Sequence, residues 1–537
     1  MSSTIILLWA SALLGLTLAS FITYQVKFHP LARYPGPFFA KLTNAYGAYH
    51  AWKEDVHIEM WRCHQVYVTK ADYLKGDFVR WGPDRIIVNN AAGLKDIYAS
   101  GKNVIKSQGY NALVHRVPSV IAIRDKKEAS NRRRLIGEGL SDTALRGHEP
   151  VMLSRINRLC DVLAPSHGAW SEPRNMANWS SYIAFDVMAD VIFGQKYDLI
   201  GSPTHRYIVG AINGSNIRTT VLGYLPQLMW HRLDKKLLAT SIKARNKFLV
   251  FMTKLLQARF QVTCDDRKDV FSVLLKVPDD ETEKLLHDFR IRADSATLAI
   301  AATDTVATAM ASVFFYLSRY PDSYRRARDE VRQAFSSREQ IRTGPTLNSC
   351  TYLRACIDES MRITAPAGGA PFREVAPGGA IVDGHHFPAG ADVGTSIYAI
   401  HQNPEYFPRP HRFDPERWLV KDGDVAGRER LQRMYSVFNP FSIGPRSCVG
   451  KGMAMIEMML TMGTVLWEFD SKMVDGPDAE VGGGNPFNGP VGRRNPDEYQ
   501  LYHGGITSNK TGPILQFRHR QAEMTEGKVD AAISMNA

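Results

Sequence analysis

Thiols are scarce in this chain. Six cysteines occur in 537 residues, at 63, 160, 264, 350, 356 and 448. No two form a CxxC pair and no spacing repeats. That argues against a disulfide scaffold or a zinc site and for a reducing compartment. Nucleic-acid motifs are also missing. The formal net charge of +12 is spread along the chain, so a membrane surface or an acidic protein partner accounts for it better than nucleic acid. No internal repeat or long low-complexity stretch interrupts residues 40–520. Charge is absent altogether from residues 2–26, SSTIILLWASALLGLTLASFITYQV.

What is present begins with that run. A spanning helix needs about 20 mostly apolar residues, and this stretch supplies them. Lys27, Arg33 and Lys41 follow it, and no Lys or Arg precedes it. The positive-inside tendency then places the remainder in the cytosol. A cleaved signal peptide is the competing reading, helped by Ala19 and Ser20. The length of the run and the missing basic n-region favour a transmembrane anchor over 1–27. YPGPF at 34–38 combines two prolines that stop a helix with a glycine that permits a turn, so 28–40 reads as a stiff hinge.

The whole chain is 44% hydrophobic and 22% charged, which suits a large packed core in the body, 41–520. Helical patterns dominate, at 175–194, 288–320 and 323–335. Short strand candidates lie at 77–82, 85–90, 380–387 and 512–517. The expected class is mainly α with small β-sheets set to one side. The Gly/Pro/Asn-rich stretch 476–499 reads as a long surface loop, and 521–537 as a polar, disordered tail.

Four motifs carry chemistry. AATDTV, 301–306, lies in a helix with only Asp294 and Asp304 charged between Ala293 and Tyr316. A helix apolar on nearly all faces runs through a core, so Asp304 and Thr305 are a buried acid beside an alcohol. A solvated Asp–Thr pair is the bland reading, and the apolar flanks oppose it. Thr303, Thr305 and Thr308 can bond back to helix carbonyls and distort the turn. In ESMR, Glu359 and Arg362 share a helix face at i, i+3. Most such pairs are exposed and contribute little. A buried pair needs further partners, and Arg417 in FDPERW, 413–418, offers one. FSIGPRSCVG, 441–450, frames Cys448 with Gly444, Pro445, Arg446 and Gly450, and puts Phe441 seven positions upstream.

In this order the four motifs resemble the cytochrome P450 family, over nearly the whole chain. The last motif is highly specific; ESMR is weak alone. The resemblance implies the cytochrome P450 fold, with a long central helix over heme and the cysteine loop below. It implies heme b (iron protoporphyrin IX) as cofactor and Cys448 as the axial thiolate ligand of its iron. The helix after Cys448 would stabilise negative charge on sulfur. Phe441 would shield the loop and Gly450 shape it. Arg446, Arg373 in APFREV and Arg133 in EASNRRRL would bind the heme propionates. Asp304 and Thr305 would sit above the iron and deliver protons to bound dioxygen. Glu359, Arg362 and Arg417 form a structural lock in the family.

Three departures stand out. The position four residues before Arg133, usually Trp or His in the family, is Ala129. One propionate contact is then missing, or offset by Arg132 or Asn131. Ala302 replaces a frequent glycine. Residues 66–75 add about ten residues, read either as a surface loop or as an artefact of the gene's assembly.

The hinge, GLKDIYAS at 93–100 and the loop style resemble fungal microsomal members active in secondary metabolism. That implies an endoplasmic reticulum membrane protein, single-pass, with a cytosolic catalytic domain. The expected reaction inserts one oxygen atom of dioxygen into a hydrophobic small molecule such as a terpenoid, polyketide or alkaloid intermediate. The pocket would draw on 107–122, 213–230, 297–305, 366–372 and 503–508, where His115 and Arg116 either meet a carboxylate or face solvent. No flavin or nicotinamide fingerprint follows residue 520, so NADPH-cytochrome P450 reductase is the expected partner. The alternatives are a heme-thiolate isomerase or dehydratase working without reductase, and a non-catalytic heme-binding membrane protein.

Overall fold

The computed structural model describes residues 3–68, 77–165, 168–261, 269–275, 281–503 and 508–520. Helices form the bulk of it. The longest runs Glu281–Arg319, 39 residues, and its apolar stretch from Val306 to Leu317 is the centre of the largest core cluster. Around it pack the helices Met176–Phe193, Thr351–Ile363 and Lys451–Glu468. The first of these is apolar on almost every face and stops at Gly194, whose φ of 61° makes a left-handed cap. Glycine adopts that conformation without steric cost.

The sheets are small and lie apart from this bundle. Five strands pair in the order Phe78–Gly82, Arg85–Val88, Asp392–Gly394, Arg373–Val375 and Val104–Lys106. Only the second and third of these run parallel. Three more strands, Arg174–Asn175, Ile514–His519 and Phe469–Met473, form a second sheet. A short hairpin pairs Tyr502–His503 with Ser508–Asn509. The mainly α reading and all four strand candidates agree with this architecture.

The N-terminal helix Ser3–Thr23 has no buried residue. Together with the following turn it forms a candidate span, Ser3–Phe28, of hydropathy 2.3. The segment after it is less free than a hinge. Tyr34 is fully buried and stacks on Phe387. A Cβ on Gly36 would meet the Arg80 carbonyl at 2.2 Å, so only glycine fits there. Arg80 Nη1 and Nη2 donate to the Gln25 carbonyl and side chain, both at 2.7 Å. The expected hinge is thus clamped onto the first sheet.

Other expectations change in detail. Stretch 476–499 is irregular, but its end turns inward and buries Arg493, Glu498 and Tyr499. The helix Glu281–Arg319 stays α-helical through 301–308 despite three threonines bonded backward, so no distortion marks the motif. Of the stretch 66–75, residues up to Val68 continue the helix Val56–Val68. The rest, and the tail 521–537, lie outside the described residues.

Candidate active site

The cysteine loop is built by backbone constraints. Cys448 N–H donates to the Phe441 carbonyl at 2.8 Å and Ser447 N–H to Gly444 at 3.0 Å. Gly444 has φ 73°, and a Cβ there would meet the Tyr98 carbonyl at 1.9 Å. Glycine is therefore required twice over at this one position. Gly450 then starts the helix Lys451–Glu468, with Ala454 N–H donating to its carbonyl at 2.9 Å. Phe441 packs against the main core, and Lys451 Nζ lies 5.9 Å from its ring centroid.

Cys448 is the one exposed cysteine among those described; the other four are buried. The loop and its neighbours still crowd the sulfur, and this desolvation raises its thiol pKa although one face of the residue is exposed; the Gly450 N–H, Arg133 and Lys451 pull the other way. A metal ion takes the thiolate form of cysteine. The regular helix Glu281–Arg319 carries a matching change in burial. Ala301 is exposed and Thr305 half-buried, although the residues from Val306 onward are buried. Ala302, the departure from glycine, is the more covered of the two alanines and packs beside a core cluster. Thr305 Oγ1 donates to the Ala301 carbonyl at 2.8 Å.

Four cations gather beside the loop and make no salt bridge among the described residues, although the Asp125 carboxylate acts on Arg446 electrostatically. Arg446 donates to the Ile123 and Asp125 carbonyls and leaves Nη1 with no partner. Arg133 Nη2 donates to the Ser447 carbonyl at 2.6 Å. Arg373 Nη1 donates to the carbonyls of Pro371 and Phe372. The fourth is Lys106, missed in the sequence. Strand pairing sets it opposite Arg373, and its Nζ lies 4.2 Å from the Tyr110 ring centroid. Burial, then Arg373, Arg446 and Arg133, push the Lys106 pKa well below the usual lysine value. Burial, Arg373 and Arg133 lower that of Arg446 to about 10. Like charges crowded this way raise the energy of the protein on its own. A ligand with two carboxylates relieves that cost. A thiol, four unpaired cations and an exposed alanine on the core helix fit heme and its two propionates.

Arg132 does not fill the gap left by Ala129. Its guanidinium is spent on Asp294 and the Pro118 carbonyl. Asp294 in turn accepts from Val120 N–H at 2.6 Å.

Asp304 and Thr305 are neighbours in sequence but face different partners. Asp304 Oδ1 accepts from Lys510 Nζ at 2.9 Å and Oδ2 from Ser508 N–H at 3.1 Å. Glu359, Arg362 and Arg417 do come together. Glu359 Oε2 meets Arg362 Nε at 2.8 Å and Oε1 meets Arg417 Nε at 2.9 Å. Trp418 Nε1 and Asp414 N–H complete the carboxylate. Burial would raise the Glu359 pKa, but Arg362, Arg417 and the Asp414 N–H hold it below the usual value. His115 and Arg116 are exposed, and Arg116 lies over the Phe289 ring at 4.9 Å.

Comparison with known proteins settles what this geometry belongs to. A family model described as Cytochrome P450 matches residues 63–482. The chain belongs to the cytochrome P450 family. It is 44% identical over 515 residues to the cytochrome P450 monooxygenase AKT7 of Alternaria alternata, covering 95% of this chain and 96% of the relative. Cytochrome P450 monooxygenase poxM of Penicillium oxalicum is 41% identical over 515 residues, with 95% and 94% covered. Cytochrome P450 monooxygenase atnE of Emericella nidulans is 40% identical over 519 residues, with 94% and 95% covered. This cytochrome P450 is accordingly an oxidoreductase of the monooxygenase class with heme b as cofactor, of the type found in fungal secondary metabolism.

Proposed function

We propose that this monooxygenase inserts one oxygen atom of dioxygen into a hydrophobic small molecule of secondary metabolism, a terpenoid, polyketide or alkaloid intermediate. Two electrons arrive from NADPH through NADPH-cytochrome P450 reductase, and the second oxygen atom leaves as water. The observation that carries the reading is the Cys448 thiol beside four cations that have no carboxylate partner among the described residues. The heme iron, when bound, supplies the redox chemistry, and thiolate ligation favours O–O cleavage. Cys448 Sγ is the ligand. Arg446, Arg373, Arg133 and Lys106 hold the propionates. Gly450 N–H donates to the sulfur and tunes it. Phe441 and the glycine-shaped loop would shield its protein side. Thr305 Oγ1 offers a donor and an acceptor at the open face of the central helix. Asp304 feeds it protons from the far side.

The exposed helix Ser3–Thr23 supports a single-pass anchor in the endoplasmic reticulum membrane, with the body, 41–520, in the cytosol. Phe28, Phe38, Phe39, Tyr49 and Trp52 are exposed just beyond it. Aromatic side chains favour the membrane–water boundary, so this end of the body rests on the bilayer. A hydrophobic substrate can then enter from the lipid.

The first test is a carbon monoxide difference spectrum of the reduced protein in microsomes. A red-shifted Soret band is expected, and Cys448→Ala should abolish it. A band kept by that variant would refute the ligand assignment. Thr305→Ala should keep the band but raise peroxide released per NADPH at least tenfold, in line with the roughly 100-fold or larger contribution of a positioned acid–base group. Unchanged peroxide would remove Thr305 from proton delivery.

A further inference from the structure

The upstream half of the central helix carries a second group of cations. Arg116 lies over the Phe289 ring at 4.9 Å. Its loop is fixed along the same helix at Val120, whose N–H donates to Asp294 at 2.6 Å. The helices Tyr207–Tyr224 and Ala239–Phe260 pack together nearby. Between them the Arg218 N–H donates to Ser241 Oγ at 3.1 Å. Arg245 follows Ser241 by one helical turn and shares its face. Arg245, Arg116 and Arg218 all lie close enough to His115 to act on it electrostatically.

The neighbouring acids are already spent. Asp234 Oδ2 accepts from Arg218 Nε at 2.9 Å. Asp288 pairs with Arg292 at 3.1 Å, and Asp294 is held by Arg132. Arg116 and Arg245 make no hydrogen bond or ion pair among the described residues. Arg245 is nevertheless half-buried. A guanidinium carries five N–H donors in a planar fork that matches a carboxylate, and those of Arg245 are left for a ligand.

An open row joins this group to Thr305. Phe289, Ala293, Thr297, Ala301 and Thr305 succeed one another at i, i+4 along the helix, and each is partly or fully exposed. Leu298, Ala299, Thr303 and Asp304 among them are buried. The apolar members of the row, Phe289, Ala293 and Ala301, belong to no core cluster. From Phe289 to Thr305 the row runs about 24 Å at 1.5 Å per residue.

We infer that Arg116, Arg245 and His115 form an anion subsite for the substrate: they take the carboxylate of a long apolar chain that lies along the open row, with the carbon to be oxidised at Thr305. This names a substrate class for the proposed monooxygenase and rests on that reading. The arginines supply charge-assisted donors to the carboxylate. Burial and the arginines lower the His115 pKa, so it adds a neutral N–H donor. The apolar chain covers Phe289, Ala293 and Ala301. Holding one end of the chain fixes which carbon reaches the reacting centre.

The test uses full-length holoenzyme in microsomes, after its carbon monoxide band has been recorded. The probes are saturated fatty acids of 12 to 18 carbons and their methyl esters. Binding is read at pH 8 as the substrate-induced shift of the Soret band. The acids should bind at least tenfold tighter than the esters, in line with hydrogen bonds to charged groups. Arg245→Gln and Arg116→Gln should each weaken the acids about tenfold and leave the esters unchanged. Arg245→Lys should keep part of the preference. With reductase and NADPH, the oxidised carbon should stay at a fixed count from the carboxylate as the chain lengthens. The double glutamine variant should lose that register. Equal affinity for acid and ester in the wild type, no shift with any acid, or an acid preference kept by both glutamine variants would overturn the inference. So would weakened binding of those variants to phosphatidylserine vesicles with the acid preference intact, which would give the cations to lipid headgroups. The monooxygenase reading falls separately, if the wild type lacks the thiolate band.

Discussion

Two arginine-rich regions of this protein handle charge in opposite ways. Around Glu359 both arginines share a carboxylate. One carboxylate serves Arg362 and Arg417, Trp418 and the Asp414 N–H add to it, and Arg362 also donates to the His401 carbonyl at 2.9 Å. Around Cys448 four cations crowd together on carbonyls and aromatic rings, with no salt bridge to a carboxylate among the described residues. Glu359 and Arg362 are fully buried, and Lys106 and Arg373 are buried as well; for these residues the presence of a counter-charge is what separates the regions. A satisfied buried network fixes a structure. An unsatisfied cluster of one sign is a site waiting for a ligand of the other.

The comparison can be broken experimentally. The largest effect should come from Glu359→Ala. It leaves two buried cations unpaired, and removing one partner of a buried pair costs about 3–5 kcal/mol. Thermal unfolding should move down sharply, and the carbon monoxide band should vanish with the fold. A mild effect would mean the triad is no tie at all.

Lys106→Met should act with the opposite sign on the protein without heme. It removes one of four mutually repelling charges, and replacing buried ions by apolar groups stabilises by about 1–4 kcal/mol. Heme should dissociate faster from the same variant, because a propionate partner is gone. The pH dependence sharpens this. The Lys106 pKa is lowered in the folded protein, so its protonated form destabilises the fold at neutral pH. That cost is relieved as pH rises from the lowered value to the ordinary lysine value of about 10.4. Stability of the heme-free protein should therefore climb with pH over that window, and Lys106→Met should flatten the climb. Equal loss of stability with and without heme would place Lys106 in the packing alone.

The smallest effect belongs to a third kind of arginine. Arg433 pairs with Glu405 at 2.9 Å, with both side chains more than half exposed. Exposed pairs contribute about 0–1 kcal/mol, so Arg433→Ala should leave both unfolding and the heme band almost unchanged. A loss as large as that of Glu359→Ala would dissolve the distinction between buried and exposed pairs.

Much of the site was legible because its motifs are local. Cys448, Gly444 and Arg446 act within one loop, and Glu359 and Arg362 within one helical turn. The long apolar run fixed the central helix in the same way. What sequence could not show depends on long-range pairing. Lys106 meets Arg373 only because two strands pair in a given register. Asp304 meets Lys510 only because a hairpin folds back across the helix. Arg132 sits beside Arg133, yet Asp294 on another helix claims it. Composition misled once. The stretch 476–499 is rich in turn residues, but Arg493 and Glu498 are buried by contacts with Glu54, Gln500 and Tyr398.

The clamp at the base of the molecule has a consequence for traffic. Arg80 grips Gln25 and Tyr34 is locked against the first sheet, so with the proposed anchor in a bilayer the body would be held to its stalk rather than hung on a loose tether. Its height above the lipid and its tilt would then be inherited from the stalk. A second protein rooted in the same bilayer then searches for it across a plane, at one altitude and one inclination. Encounters become fewer in kind and more often productive, much as a key already held level needs only to slide.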